Sequence, residues 1–231
     1  IALYPSFGGV IGCALSNTLD DATETTAATV ITAKLTNLEN RGEVKYEDNA
    51  KSFIYRPVVG GIIGYTSVAS ATVMTNCDNF ANVSYNAIGT GTSGANTPVS
   101  VAGVAGVFNT GTIDGCDNSG DITVDGRTYT IAAGGVFGYC YNSATTNCHN
   151  TGKVELKSTM RTLGLMAGGF AAALYNPNDG AVGSCHDCSN NGPVNVLCST
   201  DEENKRSGAY YYRVGGFTAF GRQITKNCHN L

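Results

Sequence analysis

The chain has no tryptophan, three methionines, five prolines and few charged residues, 14% of its 231 positions. Low charge combined with 42% apolar residues excludes a disordered chain, which would lack the apolar surface to offset its conformational entropy. Glycine is abundant, at 30 copies, but does not recur at every third position, so a collagen-like triple helix is excluded. The 14 lysines and arginines are scattered, with Lys205 and Arg206 the one adjacent pair, in a chain of net charge −4. The concentrated basic footprint that displaces counterions from phosphates is missing, and nucleic acid is not an expected partner. No apolar run approaches the roughly 20 residues of a spanning helix, so no membrane span is expected in this chain. Nor does any stretch join helical periodicity to helix caps, which leaves β-structure as the expected element. The chain starts at Ile1 with no secretory leader, and we expect it to be a fragment of a longer chain.

What is present is repetition. A small–Gly pair followed by two mostly apolar residues and a small one occurs as Gly8–Gly12, Gly60–Gly64, Ala102–Gly106 and Gly134–Gly138. It drifts to Gly168–Ala172 and Gly215–Ala219. Each copy is followed by a Cys-x-Asn-x-Gly-x-Val element, complete at Cys116–Ile122, Cys148–Val154 and Cys188–Val194. Variants run from Leu38 to Val44 and from Cys77 to Val83, and a last copy begins at Cys228. Positions 38, 77, 116, 148, 188 and 228 are 39, 39, 32, 40 and 40 residues apart.

Within each repeat we expect two or three short strands. Tyr55, Pro57 and Val59, then Tyr129, Ile131 and Ala133, then Tyr210, Tyr212 and Val214 alternate as a strand with one buried face does. The Asn-x-Gly step is expected to turn the chain, because both residues tolerate left-handed backbone angles. One repeat cannot bury its apolar face alone, whereas stacked copies share a continuous core. The expected fold is therefore all-β, a right-handed parallel β-solenoid of about six rungs with loop insertions, forming one domain over residues 1–231. At strand spacing, such a stack is roughly 24–29 Å long. A β-propeller has a similar repeat length but needs four strands per blade.

Gly60–Gly64 with Cys77–Val83, and Gly134–Gly138 with Cys148–Val154, resemble the GLUG-type repeat of bacterial surface proteins. That resemblance covers most of the chain, departing from the pattern at Leu38 and in the fifth and sixth glycine motifs. It implies an extracellular or cell-surface location and supplies no catalytic residues.

Stacking turns a repeat position into a column. Cys77, Cys116, Cys148, Cys188 and Cys228 share a slot that Leu38 fills in the first repeat, so a buried thiol column is expected rather than a disulfide framework. Asn40, Asn79, Asn118, Asn150, Asn190 and Asn230 form the second column, where stacked amides can hydrogen-bond from rung to rung. Cys185, His186, Cys188 and Cys198 offer only half of a zinc ligand pattern. Cys148–His149 and Cys228–His229 point to opposite faces of a strand and cannot form a nucleophile–base pair. Asp114, Asp117, Asp121 and Asp125 are the candidates for calcium or for acid–base chemistry on a polysaccharide. Tyr211, Tyr55 and Tyr129 are candidate recognition residues, with Tyr210 and Tyr212 expected inside and Tyr211 outside. Insertions at 16–29, 86–98, 175–183 and 199–207 can also carry recognition.

These features point to a non-catalytic surface or secreted module for adhesion, recognition or structural spacing, with no cofactor. The expected partner is a glycan or a host or cell-surface protein. The alternatives are a β-helical polysaccharide lyase or hydrolase, and a subunit that associates end to end through its unfinished sixth repeat.

Overall fold

The computed structural model describes residues 5–14, 32–48, 57–66, 71–87, 98–126, 130–158, 164–175, 183–198 and 211–231. Among them the fold is all-β, and every strand pairing is parallel and joins one repeat to the next. The structure is a parallel solenoid of six rungs. The first sheet stacks Ser6–Gly8, Val58–Gly60, Pro98–Ala102, Thr130–Gly134, Gly164–Gly168 and Tyr211–Gly215. Past the glycine pair, the second sheet stacks Ile11–Ala14, Ile63–Thr66, Ala105–Phe108, Phe137–Tyr141, Ala171–Tyr175 and Thr218–Gly221. The third stacks Ala33–Thr36, Thr72–Thr75, Gly111–Asp114, Ser143–Thr146, Ser184–His186 and Ile224–Lys226. A fourth ladder of very short strands carries the asparagines. The fifth sheet stacks Val44–Asp48, Val83–Ala87, Ile122–Gly126, Val154–Ser158 and Val194–Cys198.

Each rung therefore has up to five short segments, against the two or three expected. The two-residue strands at the asparagine, such as His149–Asn150, are too short to show a period. The 32-residue interval arises between the fifth and first sheets, where three residues separate Gly126 from Thr130 and ten separate Ala87 from Pro98 one rung earlier.

Two apolar cores run along the stack. One lies between the second and third sheets and includes Ile63, Met74, Phe108, Ile113, Phe137, Leu174 and the buried cysteines. The other lies between the first and fifth sheets and includes Val59, Val83, Tyr85, Val101, Ile122, Ile131 and Leu156. They are separated where the glycine pair meets the asparagine ladder. A Cβ on Gly61 would sit 2.4 Å from Asn79 Cγ, on Gly103 2.1 Å from Asn118 Cγ, and on Gly135 2.2 Å from Asn150 Cγ. Gly9 with Asn40, Gly169 with Asn190, and Gly216 with Asn230 repeat this contact, so glycine is required at all six positions.

The asparagines form a continuous hydrogen-bonded chain. Asn40 Nδ2 donates to Asn79 Oδ1 at 2.7 Å, Asn79 to Asn118 at 2.7 Å, Asn118 to Asn150 at 2.7 Å, Asn150 to Asn190 at 2.7 Å and Asn190 to Asn230 at 2.9 Å. The second amide hydrogen goes to the carbonyl two residues on, as from Asn118 to Gly120 O at 2.8 Å. Asn79, Asn118, Asn150 and Asn190 are fully buried, with both donor sites used.

The left-handed residue is not in the Asn-x-Gly step, as expected, but immediately before the cysteine slot. Asn37, Asn76, Gly115, Asn147, Asp187 and Asn227 have φ between 50° and 61°. Strand pairing pins the ladder asparagines, so the corner falls three residues earlier, on a residue that tolerates left-handed angles.

The first-sheet strands also depart from the one-sided burial expected. Ser100, Ala132 and Met166 are buried although they point away from the core that holds Val101, Ala133 and Ala167. Their outer side packs on the outer side of the second sheet, where Ala132, Met166, Ala172 and Ala173 form a third apolar cluster. A Cβ on Gly138 would lie 2.0 Å from Ser100 Oγ, which explains the small residue ending each glycine motif.

Replacing Asn118 or Asn150 with Ala removes two donor bonds and strands their buried partners. Each variant should lose about 3 kcal/mol in chemical denaturation. Gly42→Ala, where a Cβ meets nothing closer than Asn40 Oδ1 at 3.9 Å, should change stability by less than about 0.5 kcal/mol. Equal losses at Asn118 and Gly42 would contradict this packing.

Candidate functional site

The cysteine column is part of the first core. Cys77, Cys116, Cys148 and Cys188 are fully buried, and Leu38 packs against the same cluster in the first rung. The backbone N–H of Cys77 points at Cys116 Sγ at 3.4 Å, and that of Cys116 at Cys148 Sγ at 3.3 Å. Burial pushes the Cys148 thiol up and raises that of Cys140 to about 12, so both remain neutral thiols rather than nucleophiles.

The histidines lie on the other side of the wall. His149 is half buried outside, its Nδ1 paired with Ser189 Oγ at 2.9 Å, while Cys148 faces in. Cys185 and Cys188 are both buried in the core, His186 lies outward between Thr146 and Lys226, and Cys198 ends a fifth-sheet strand. Among the described residues, no group of three or more His, Cys, Asp or Glu side chains forms a metal-binding set.

The acidic candidates fall into separate columns, each of the first three holding a donor from the next rung. Asp114 Oδ1 accepts from Thr146 Oγ1 at 2.7 Å and Asn147 Nδ2 at 2.9 Å, and these donors hold its carboxyl below the usual range. Asp117 Oδ1 accepts the His149 N–H at 2.7 Å, and burial pushes its carboxyl up. Asp121 Oδ1 accepts the Lys153 N–H at 2.9 Å. Asp78 plays the same part for the Asp117 N–H at 3.1 Å. Asp117, Asp121 and Asp78 thus cap backbone donors between rungs, and Asp125 lies further along, in register with Lys157.

Tyr55 and Tyr129 lie outside the described residues, and Tyr211 begins the sixth first-sheet strand. Tyr212, an inside position by alternation, continues the inward column in register with Leu165, yet it is 51% exposed, as is Val214 at 54%. No described rung lies on their far side.

The structure brings together a different aromatic set. Tyr65, Val107, Tyr139, Ala173 and Phe220 are in register on the outward face of the second sheet, and Tyr141 and Tyr175 form the next outward pair. Tyr139 stacks on Tyr141 at 5.6 Å, Tyr141 meets Tyr175 edge-on at 5.8 Å, and Tyr175 lies 5.7 Å from Phe220. The guanidinium of Arg213 sits 4.4 Å over the Phe220 ring, and that of Arg222 lies 5.6 Å from Tyr175. All four rings are half buried, so each offers part of its surface to solvent. The sequence carries a signal for them: an aromatic residue one or three places after the last small residue of the glycine motif. Of the tyrosines singled out from sequence, Tyr55, Tyr129 and Tyr210 lie outside the described residues, and Tyr212 continues the inward column of the first sheet.

This strip can hold a ligand that presents flat apolar surface ringed by hydroxyls. Aromatic faces take the first, while tyrosine hydroxyls and guanidinium groups take the second.

The thiol burial has a pH consequence. A folded-state value of about 12 for Cys140 against roughly 8.5 when unfolded leaves stability intact below pH 8.5 and erodes it above. Denaturation midpoints should stay flat from pH 6 to about 8 and then fall, at up to about 1.4 kcal/mol per pH unit from this thiol. The fall should be shallower in Cys140→Ala, and an identical alkaline slope in that variant would contradict the assignment.

No family model, curated protein or solved structure matches this chain.

Proposed function

We propose that this chain is a non-catalytic recognition module of a bacterial secreted or cell-surface protein, and that it binds a glycan through the outward aromatic strip. The observation that carries this reading is the run of Tyr139, Tyr141, Tyr175 and Phe220 across three successive rungs. Pyranose rings have apolar C–H faces that pack on aromatic rings, and their hydroxyls pair with the polar groups at the ring edges. The strands that carry Tyr139, Tyr141 and Tyr175 are held in register by pairing on both sides, and that of Phe220 by pairing on one, so little ordering entropy opposes binding.

Two further features support the reading. The acidic residues that could act in cleavage hold backbone donors between rungs and do not converge. The resemblance of the repeats to GLUG-type elements favours a cell-surface location. No helix among the described residues is long and apolar enough to cross a membrane.

A glycan array followed by calorimetry tests this. Tyr139→Ala and Tyr175→Ala should each weaken binding about tenfold while the protein stays folded at the assay temperature. Undiminished affinity in both variants, or capture of a protein but no glycan, would overturn the glycan reading. Release of shortened sugar products in the same mixtures would overturn the non-catalytic one.

A further inference from the structure

One inward column of the third sheet contains Leu35, Met74, Ile113, Thr145, Cys185 and Thr225 in register. The fifth rung alone places a thiol there. Two residues on, the left-handed Asp187 turns the chain and Cys188 enters the cysteine column. The sixth-rung Cys228 leans back toward the fifth rung. Its sulfur lies 3.3 Å from Cys185 O and 3.7 Å from Cys185 Sγ. Cys77 has the same tilt, with its sulfur 3.5 Å from Leu35 O, but meets an aliphatic side chain where Cys228 meets a thiol.

We propose that Cys185 and Cys228 are a disulfide-forming pair that, under oxidising conditions, staples the sixth rung to the fifth. Neighbours within the cysteine column sit on parallel in-register segments, so their Cα–Cβ bonds run side by side and oppose the near-perpendicular disulfide torsion. Cys185 and Cys228 lie on opposite sides of the left-handed corner, and their side chains converge. Closing the bond requires the sulfurs to approach from 3.7 Å to about 2.05 Å. The movement falls on the sixth rung, where Cys228 is only half buried.

The chemistry is exchange with a small disulfide such as oxidised glutathione. The Cys228 thiolate attacks one sulfur of the reagent, forming a mixed disulfide and releasing one thiolate. Cys185, whose thiol the neighbouring Cys188 sulfur and burial hold above the ordinary range, then gives up its proton as its sulfur attacks Cys228 Sγ and releases the second thiolate. Two electrons pass to the reagent, and the two cysteine protons end on the two released thiols. Nothing in this step depends on the aromatic strip or on what it binds.

Equilibration of the protein in glutathione buffers of rising oxidised fraction, alkylation and peptide mapping by tandem mass spectrometry tests the pair. Wild type and Cys188→Ala should give a Cys185–Cys228 crosslink. Cys185→Thr keeps the residue that the neighbouring rungs carry at that position and should fold, but its Cys228 should bear glutathione instead. The oxidised protein should also resist proteolysis between residues 211 and 231 longer than the reduced one. A wild-type Cys228 joined to Cys188 or Cys198, or left as thiol or glutathione adduct, would overturn the proposal.

Discussion

The glycine at the second position of each motif lies directly against the ladder asparagine of its own rung, and the rest of the solenoid depends on that contact. The amide occupies the space a Cβ would need, at 2.1–2.6 Å across all six rungs. Only because the glycine has no side chain can the turn between the first and second sheets press inward to the opposite wall. That inward turn divides the section into two apolar cores, and it lets the outer faces of the first two sheets pack together. The two sequence motifs are therefore the two sides of one joint.

Once the joint is set, stacking propagates it. Each interior amide donates both hydrogens and accepts from the preceding rung, so a rung displaced along the ladder would leave buried polar groups unpaired. The cysteine slot beside it needs only a compact apolar side chain, which is why leucine serves in the first rung. Polar side chains on the outside continue the same logic, Asp78, Asp117 and Asp121 each holding a backbone donor of the next rung. A wall so occupied has few groups left for chemistry. The second sheet departs from this pattern, with Tyr139, Tyr141, Tyr175 and Phe220 half exposed on its outward face.

Much of this is legible in the amino-acid sequence. In-register stacking converts fixed spacing into columns, so the spacing alone defines the asparagine and cysteine columns. Geometry within a rung is not legible in the same way. Asn118 and Gly120 suggest a left-handed turn, yet the corner lies at Gly115, because a buried amide ladder demands extended backbone around the asparagine. Ala132 and Ala133 look like alternating faces, but both are buried, since a wedge of two strands covers the side that alternation assigns to solvent. The aromatic strip is hidden for a related reason. Tyr139 and Tyr141 follow the motif, and only the fold shows that their rings stay half exposed, whereas the outward residues Ser100, Ala132 and Met166 of the strand before the motif are buried.

The most direct test is a double-mutant cycle of Gly103→Ala, Asn118→Ala and the pair, read by equilibrium denaturation. Gly103→Ala should be strongly destabilising when Asn118 is present, because the added Cβ would lie 2.1 Å from its amide carbon. In the Asn118→Ala background the amide clash is gone and only the approach to the Gly135 carbonyl at 2.3 Å remains, so the same substitution should cost at least about 1 kcal/mol less. Strictly additive losses would show that the glycine and the asparagine do not share one joint.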